Sequence, residues 1–548
     1  MNKPFLILLI FVLSSSTIHS QQELSEKEKL FRTAKVWGFL KYYHPNVAKG
    51  KFDWDKKLIE LLPKIEKAKS KADLSIVFSD LVNSLGKIKE CRSCTSTTKL
   101  NYFNKNFNLS WIQDNTLFTN ELSENLIHIE NNRFQGKSNF VTKNKNAGNV
   151  ILINETDYQN FDWKDKKLRI LSLFRYWNTI EYFFPYKYQM DKNWNQILKE
   201  MLPKFLNPQS EMDYHLAMLE IIVDLDDSHA GLNTNLTNDY FGSKYIPVKF
   251  SIVDNKAVIT SFYNDSLADI NDLRIGDVIE KANGKTVNKI LQQKSKFIQG
   301  SNTSAKFAYA FNKIFNGVTD SIEIELLRND KIERNKIGRY SFDKFEYKKP
   351  STDKWKMLEN NIGYINLGEV EVSDVSTILE EIQNTKSIIF DLRNYPKFTL
   401  PYFLNFLNPS TKELLVSIIP DLNYPGKFYW EEPMSMGENN NNPYRGKVII
   451  LVNSRTISYA ELYAMGLQTV NNSFTIGSQT LGADGNVSRA EFIGGFKTGF
   501  SGIGIFYPDF TETQRKGVRI DIEVKPTILG IKQGRDEVLE KAIKVAVE

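Results

Sequence analysis

The sequence predicts an α/β C-terminal domain preceded by a duplicated all-α helical region and a small β-rich domain. Three observations carry this reading. Val36-Trp37…Tyr42-Tyr43-His44-Pro45 is matched 140 residues later by Tyr176-Trp177…Tyr182-Phe183-Phe184-Pro185, and Trp54 with Trp194 and Leu62-Pro63-Lys64 with Leu202-Pro203-Lys204 keep that offset. A constant offset over helical patterns indicates two copies of one unit. From Tyr245 onward the apolar period shortens to that of strands, and after residue 350 strands and helices alternate, the order of an α/β domain.

With 548 residues the chain is too long for a single core. An apolar share of 41% and a charged share of 25% describe a folded protein. The net charge of +6 comes from interspersed lysines, with no basic stripe for nucleic acid. Lys3, the apolar run Phe5–Leu13 and the polar exit Ser14-Ser15-Ser16 read as a secretory signal over residues 1–20, the alternative being a retained N-terminal anchor. No later run is long enough to span a bilayer, and no cysteine near the signal offers a lipid attachment point.

The first helical copy, residues 21–95, ends near Cys91 and Cys94, the chain's two cysteines. Two thiols with no histidine nearby do not make a zinc site, so a local disulfide is expected. Residues 96–165 are rich in Asn, Thr and Ser and read as a partly ordered connector with short strands such as Asn149–Ile153. The second copy, residues 166–240, ends in Asp226-Asp227-Ser228-His229, opposite Gly86-Lys87-Ile88-Lys89 of the first. Of five histidines, His229 alone lies in a dense polar cluster. A histidine at a helix C-terminus is commonly there for the helix dipole. The two carboxylates and Ser228 also suit an imidazole that must be oriented and charged.

Residues 241–335 hold Val248–Val253, Ala257–Phe262, Leu273-Arg274-Ile275-Gly276-Asp277-Val278-Ile279 and the hairpin signal Asn283-Gly284. The Leu-x-x-Gly-Asp-x-Ile…Asn-Gly run resembles a PDZ domain, which implies recognition of extended peptides by strand addition. Residues 350–548 form the last domain. There Lys447–Val452 reads as a strand buried on both faces, and Ala460–Leu467 favours helix. Ser458 stands between them. It suits either a helix N-cap or a nucleophile beside the free N–H groups of a helix start.

With the helical region and PDZ-like unit ahead of them, Gly363-Tyr364-Ile365, Phe390-Asp391-Leu392-Arg393-Asn394 and Ser458-Tyr459-Ala460-Glu461 resemble the carboxy-terminal processing (tail-specific) serine protease family over about residues 165–545. The resemblance implies a crotonase- or Clp protease-like β-β-α spiral, an exported serine endopeptidase acting on peptides or unfolded chains, and no cofactor or metal. It implies Ser458 as nucleophile and Tyr459 N–H as an oxyanion donor. Where Ser-Lys members carry a lysine base, this chain has Ala483 in Thr480-Leu481-Gly482-Ala483-Asp484. The tricorn-like Ser-His branch is the better match, with Ser228-His229 just before the PDZ-like unit and a late acidic partner at Glu512 or, in a strict alignment on Gly517, Gln514. In an extended chain those two would face one side. Lys397 and Phe398 replace glycines that usually follow Asp-Leu-Arg-Asn. That departure motivates the rival expectation, a peptide-binding scaffold with a degenerate protease domain; a non-proteolytic carrier is a third.

Overall fold

A computed structural model describes residues 23–95, 100–346 and 353–548. The signal-like segment and part of the polar link before the last domain lie outside these residues.

The helices of the two copies fall at the same offset. Glu26–Tyr43 and Lys166–Phe183 are each 18 residues long, Trp54–Lys67 and Trp194–Leu206 follow, and Lys71–Ser84 and Glu211–Val223 come third. A reciprocal tryptophan pair closes each copy. Trp37 Nε1 donates to Trp54 O and Trp54 Nε1 to Trp37 O, at 3.2 and 3.1 Å; Trp177 and Trp194 do the same at 3.0 Å each. Both ring pairs stack at 6.2 Å, which buries two large apolar faces while satisfying both indole N–H groups.

The copies pack against each other through exchanged positions. Lys35 of the first reaches Asn195 of the second at 2.8 Å, and Arg175 of the second pairs with Asp55 of the first. Positions 35 and 175, like 55 and 195, are equivalent under the repeat, so the contact is two-fold-like within one chain. At the crossing, a Cβ on Gly38 would lie 1.7 Å from Asn178 Oδ1, and Asn178 is the position equivalent to Gly38. One side chain fills the space that its counterpart leaves empty.

The connector is more ordered than its composition suggests. It contributes the helix Asn120–Asn131, the hairpin Val141–Lys143/Val150–Leu152 and an edge strand, Tyr102–Phe103, that pairs with Phe428–Tyr429 of the last domain. Leu122, Leu126 and Ile129 carry the helix into the helical core. Cys91 and Cys94 form a disulfide.

The small β unit is an antiparallel sheet in the order Lys331–Gly338, Ser321–Arg328, Val278–Ala282, Lys256–Phe262, Val248–Val253, with the helix Val287–Lys294 against it. Asn283 and Gly284 both take positive φ, 47° and 73°, as a tight hairpin turn requires.

The last domain is built on a sheet ordered Trp355–Leu358, Ile362–Asn366, Ser387–Asp391, Lys447–Val452, Ser473–Gly477, Ile522–Glu523. Its first pair is antiparallel and the rest parallel. All five residues of Ser387–Asp391 are buried, which explains the apolar run Ile388-Ile389-Phe390 at its centre. A second sheet centres on Lys412–Pro420. The hairpin Val487–Phe492/Phe496–Ser501 leaves this domain altogether and docks on the second helical copy. There Phe492 stacks on Tyr176 at 4.4 Å, and Ile493 N donates to Ser172 Oγ at 3.0 Å. Among the described residues, no helix is long and apolar enough to cross a membrane.

Candidate active site

Ligands of open α/β sheets gather at the carboxyl ends of the parallel strands. Three loops leave that edge here: Leu392–Thr399 after Ser387–Asp391, Asn453–Ser458 after Lys447–Val452, and Ser478–Asp484 after Ser473–Gly477.

Ser458 occupies the turn from strand to helix with φ 56° and ψ −124°, a conformation that costs a non-glycine residue of order 1–3 kcal/mol and is found mainly at functional sites. Its neighbours enforce it. Ser458 N donates to Ala483 O at 3.0 Å and lies 3.2 Å from Glu461 Oε2. The fully buried Glu461 also accepts from Thr480 Oγ1 at 2.5 Å, Gly482 N at 2.9 Å and Ala483 N at 3.0 Å. Burial pushes the Glu461 carboxyl up, against four hydrogen bonds that favour its charged form. The Glu461 N–H bonds to Ser458 O at 2.7 Å and also faces the Ser458 side chain in a capping-box arrangement. Tyr459 N–H, at the helix start, makes no backbone hydrogen bond.

The loop after Asp391 is fixed at its base, where Arg393 grips Asp391 at 2.6 Å and Asp536 at 2.7 Å. Its tip reaches the Ser458 turn, since the Phe398 ring lies 4.9 Å from that of Tyr459 while remaining 77% exposed. Lys397 N–H bonds to Leu367 O at 3.3 Å, and Phe398 N–H has no backbone partner.

The segment 480–484 joins this turn to the end of the second helical copy. Leu481 N donates to Thr456 O at 3.0 Å, and Leu481 O accepts from Ser228 Oγ at 3.1 Å. Ser228 also exchanges hydrogen bonds with Ser301 of the β unit, N to Oγ in both directions, at 2.8 and 2.9 Å. This corrects the expectation that Ser228 orients His229: its hydroxyl is used to clamp three domains together.

His229 is held from the other side. Its Nδ1 lies 2.9 Å from Ser501 Oγ, and Ser501 Oγ lies 3.0 Å from Asp227 Oδ1. Asp227, fully buried, also accepts from Ser501 N at 2.6 Å and from His229 N at 3.1 Å. Burial lowers the His229 pKa, opposed by the charge of Asp227. Its Nε2 is buried with no partner. A buried ring nitrogen left open is costly unless something else is meant to meet it.

The late acidic partner also differs from expectation. Glu512 accepts from Tyr188 Oη at 3.0 Å and pairs with Lys105 at 3.7 Å and Lys516 at 3.4 Å. The carboxylate that acts on His229 is Asp227. Gln514 is 1% exposed, with both amide atoms unpartnered. Glu512 is half-buried and Gln514 buried at the start of the turn 514–516, in which Arg515 has φ 64° and its N–H bonds to Gly482 O.

The sequence reading missed Ser501 and gave Asp484 no role. Asp484 is wholly buried; burial, then the nearby Glu461 charge, raises its carboxyl well above the usual range, and Oδ2 has no partner. Hairpin periodicity in Val487–Ser501 was the one signal that could have drawn attention to Ser501. Among the described residues no cluster of metal-ligating side chains occurs.

The fold is similar to that of CPAF. The structure of mature CPAF complexed with lactacystin matches with a TM-score of 0.55 at 13% identity, over 70% of this chain and 98% of that one. A serine-to-alanine variant of CPAF gives 0.56 at 13% identity, over 70% and 97%. The photosystem II D1 C-terminal processing protease matches over 68% of this chain and 98% of that one, at 15% identity and a TM-score of 0.39. No curated protein matches the sequence significantly. Residues 361–524, the heart of the last domain, match the model of peptidase family S41.

Proposed function

We propose that this protein is an exported serine endopeptidase that cleaves peptides or unfolded chains through an acyl-enzyme on Ser458. The observation that carries the reading is the strained Ser458 turn, with Tyr459 N–H free at the helix start and an open, buried His229 Nε2 across the 480–484 segment. In the reaction, His229 Nε2 removes the hydroxyl proton as Ser458 Oγ attacks the scissile carbonyl, then returns it to the leaving amine. Tyr459 N–H stabilises the oxyanion, and Phe398 N–H is the candidate second donor. Lys497, paired in the hairpin ladder opposite Glu491, has no part in this scheme.

The same reading takes residues 350–548 as a crotonase-like spiral and residues 241–335 as a PDZ-like unit that engages the substrate chain. The antiparallel sheet with its Asn-Gly hairpin supports the latter. The rival reading, a peptide-binding scaffold, is favoured by the Lys397-Phe398 tip and by Gln514 in place of a buried acid.

Fluorophosphonate labelling separates the two. The wild-type protein should label at Ser458 and Ser458→Ala should not, with its fold and melting temperature unchanged. Absence of labelling on the folded wild-type protein, with no hydrolysis of casein or unfolded peptides, would leave the scaffold reading.

A further inference from the structure

We infer that Ser501 and Asp227 are positioning residues that set the tautomer of His229, through a relay running from Asp227 Oδ1 to Ser501 Oγ to His229 Nδ1. This rests on the proposed role of His229 as general base.

The argument is a proton count. Ser501 Oγ stands 3.0 Å from Asp227 Oδ1 and 2.9 Å from His229 Nδ1, and it owns one proton. A carboxylate oxygen can only accept, so the hydroxyl proton points to Asp227. The contact to His229 then needs a second proton, which only Nδ1–H can supply. The neutral ring is thereby fixed with hydrogen on Nδ1 and the lone pair on Nε2, the nitrogen that is buried and unpartnered. When Nε2 takes the Ser458 proton, the imidazolium keeps its Nδ1–H···Ser501 bond, and Asp227 polarises that hydroxyl to receive it. No proton passes along the relay.

Asp227 is placed to do this by its hydrogen bonds. It receives two backbone N–H groups, from Ser501 and His229. The adjacent Asp226 is engaged elsewhere, with Lys306 at 3.1 Å and Arg515 at 3.6 Å. The relay is also inter-domain. Ser501 ends the hairpin strand Phe496–Ser501 of the last domain, while Asp227 and His229 end the second helical copy. The base is therefore competent only when the hairpin is docked, a function for an excursion that also buries Ala490, Phe492, Ile493 and Phe500.

Three variants and one spectrum test this. Ser501→Ala removes the acceptor of Nδ1–H, and kcat should fall about ten-fold or more, as loss of a ligand-orienting partner does, with little change in KM. The acid limb of the kcat profile should move to lower pH, because the imidazolium loses more than the neutral ring. Ser501→Thr keeps the hydroxyl and should restore both. Asp227→Asn should be worse, approaching the loss of about a hundred-fold or more expected when the base itself is removed. Its amide can donate to Ser501 and turn that hydroxyl proton toward Nδ1, which forces hydrogen onto Nε2. In the resting wild-type protein, ¹⁵N spectra of labelled histidine should show His229 with a pyrrole-type Nδ1 and a pyridine-type Nε2 above pH 7. This readout needs neither turnover nor a folded variant. A pyrrole-type Nε2 in the wild type, or Ser501→Ala with kcat within two-fold and an unmoved acid limb, would overturn the relay. If instead His229→Ala itself retains wild-type turnover, the general-base reading fails first.

Discussion

The two helical copies differ least in their cores and most in their last few residues. Each closes on the same reciprocal tryptophan pair, yet the first ends in Gly86-Lys87-Ile88-Lys89 and a disulfide, and the second in Asp226-Asp227-Ser228-His229. The first copy's end is half-buried or exposed, whereas Asp226, Asp227 and Ser228 are 6% exposed or less, under the β unit and the docked hairpin. A duplicated scaffold thus separates two tasks. On the proposed mechanism one copy supports, and the other presents an imidazole to a domain that has alanine, not a lysine base, at position 483.

The largest effect that would break this division is at equivalent positions 229 and 89. His229→Ala should lower kcat/KM by about a hundred-fold or more, the usual cost of a lost general base, while Lys89→Ala should match wild type. The pH profile sharpens the comparison. On the proposed mechanism the neutral imidazole is the active form, and burial lowers its pKa, so activity should rise through an inflection below 6.5, the unperturbed value. His44 of the first copy is also pushed down by burial, to about 4, with no charged neighbour to oppose it. Both groups bind protons more weakly folded than unfolded. Their stability contribution is therefore complete above about 6.5 and is lost as pH falls through the lowered values. Stability measured by chemical denaturation should decline from about pH 6.5 downward; a stability curve flat to pH 4 would contradict both.

The exchanged contacts between copies predict unequal costs at related positions. Arg175 pairs with the buried Asp55 and with Glu155 at 3.1 Å, whereas Lys35 bonds the amide of Asn195 and lies over the Trp111 and Trp177 rings at 4.8 and 5.5 Å, with no carboxylate in contact among the described residues. Asp55→Asn leaves a guanidinium short of a charge in the interior, worth about 3–5 kcal/mol. Asn195→Ala removes one hydrogen bond, worth about 0.5–1.5 kcal/mol, or up to about 3 where the partner is charged. Thermal melts of the two variants should rank in that order. At the crossing, Gly38→Ala drives a Cβ into Asn178 and should cost about 1–3 kcal/mol by overpacking, whereas Gly38→Ala with Asn178→Gly should recover most of that. Failure of the rescue would mean that the crossing does not depend on this complementary pair.

Much of this architecture was legible. The run Lys447–Val452 is apolar because both faces are covered, and the helix formers after Ser458 mark the turn; strand bounds and helix start fall where the pattern put them. The repeat showed itself through tryptophans, which need both burial and a hydrogen-bond partner and so hold their spacing. The relay was not legible. Ser501 lies 272 residues from His229, in a strand whose register is set by pairing with Val487–Phe492, and no local pattern states where such a hairpin will dock. Glu512 was misplaced for a related reason. Alternation holds only in an extended chain, and the chain enters a turn at 514–516. The connector helix Asn120–Asn131 was obscured by its polar composition, although Leu122, Leu126 and Ile129 carry the helical period.

The smallest effect concerns the disulfide that closes the first copy where the second has its proposed active-site turn. A cross-link stabilises mainly by restricting the unfolded chain, and the gain grows with loop length. Cys91 and Cys94 are three positions apart, so the entropic term is near its minimum, about 2 kcal/mol or less on the chain-entropy model. Their surroundings do the remaining holding without the bond. Cys91 N donates to Asn132 Oδ1 at 2.8 Å, and Arg133, next along, reaches Asn423 O of the last domain at 3.0 Å. None of these contacts touches Ser458, His229 or Ser501. Cys91→Ser with Cys94→Ser should therefore lower the melting temperature by a few degrees at most, leave kcat and KM as in the wild type, and leave fluorophosphonate labelling of Ser458 intact. Loss of activity in the double variant, or inactivation of the wild type by dithiothreitol faster than it unfolds, would place a redox control in the copy that this comparison assigns to support alone.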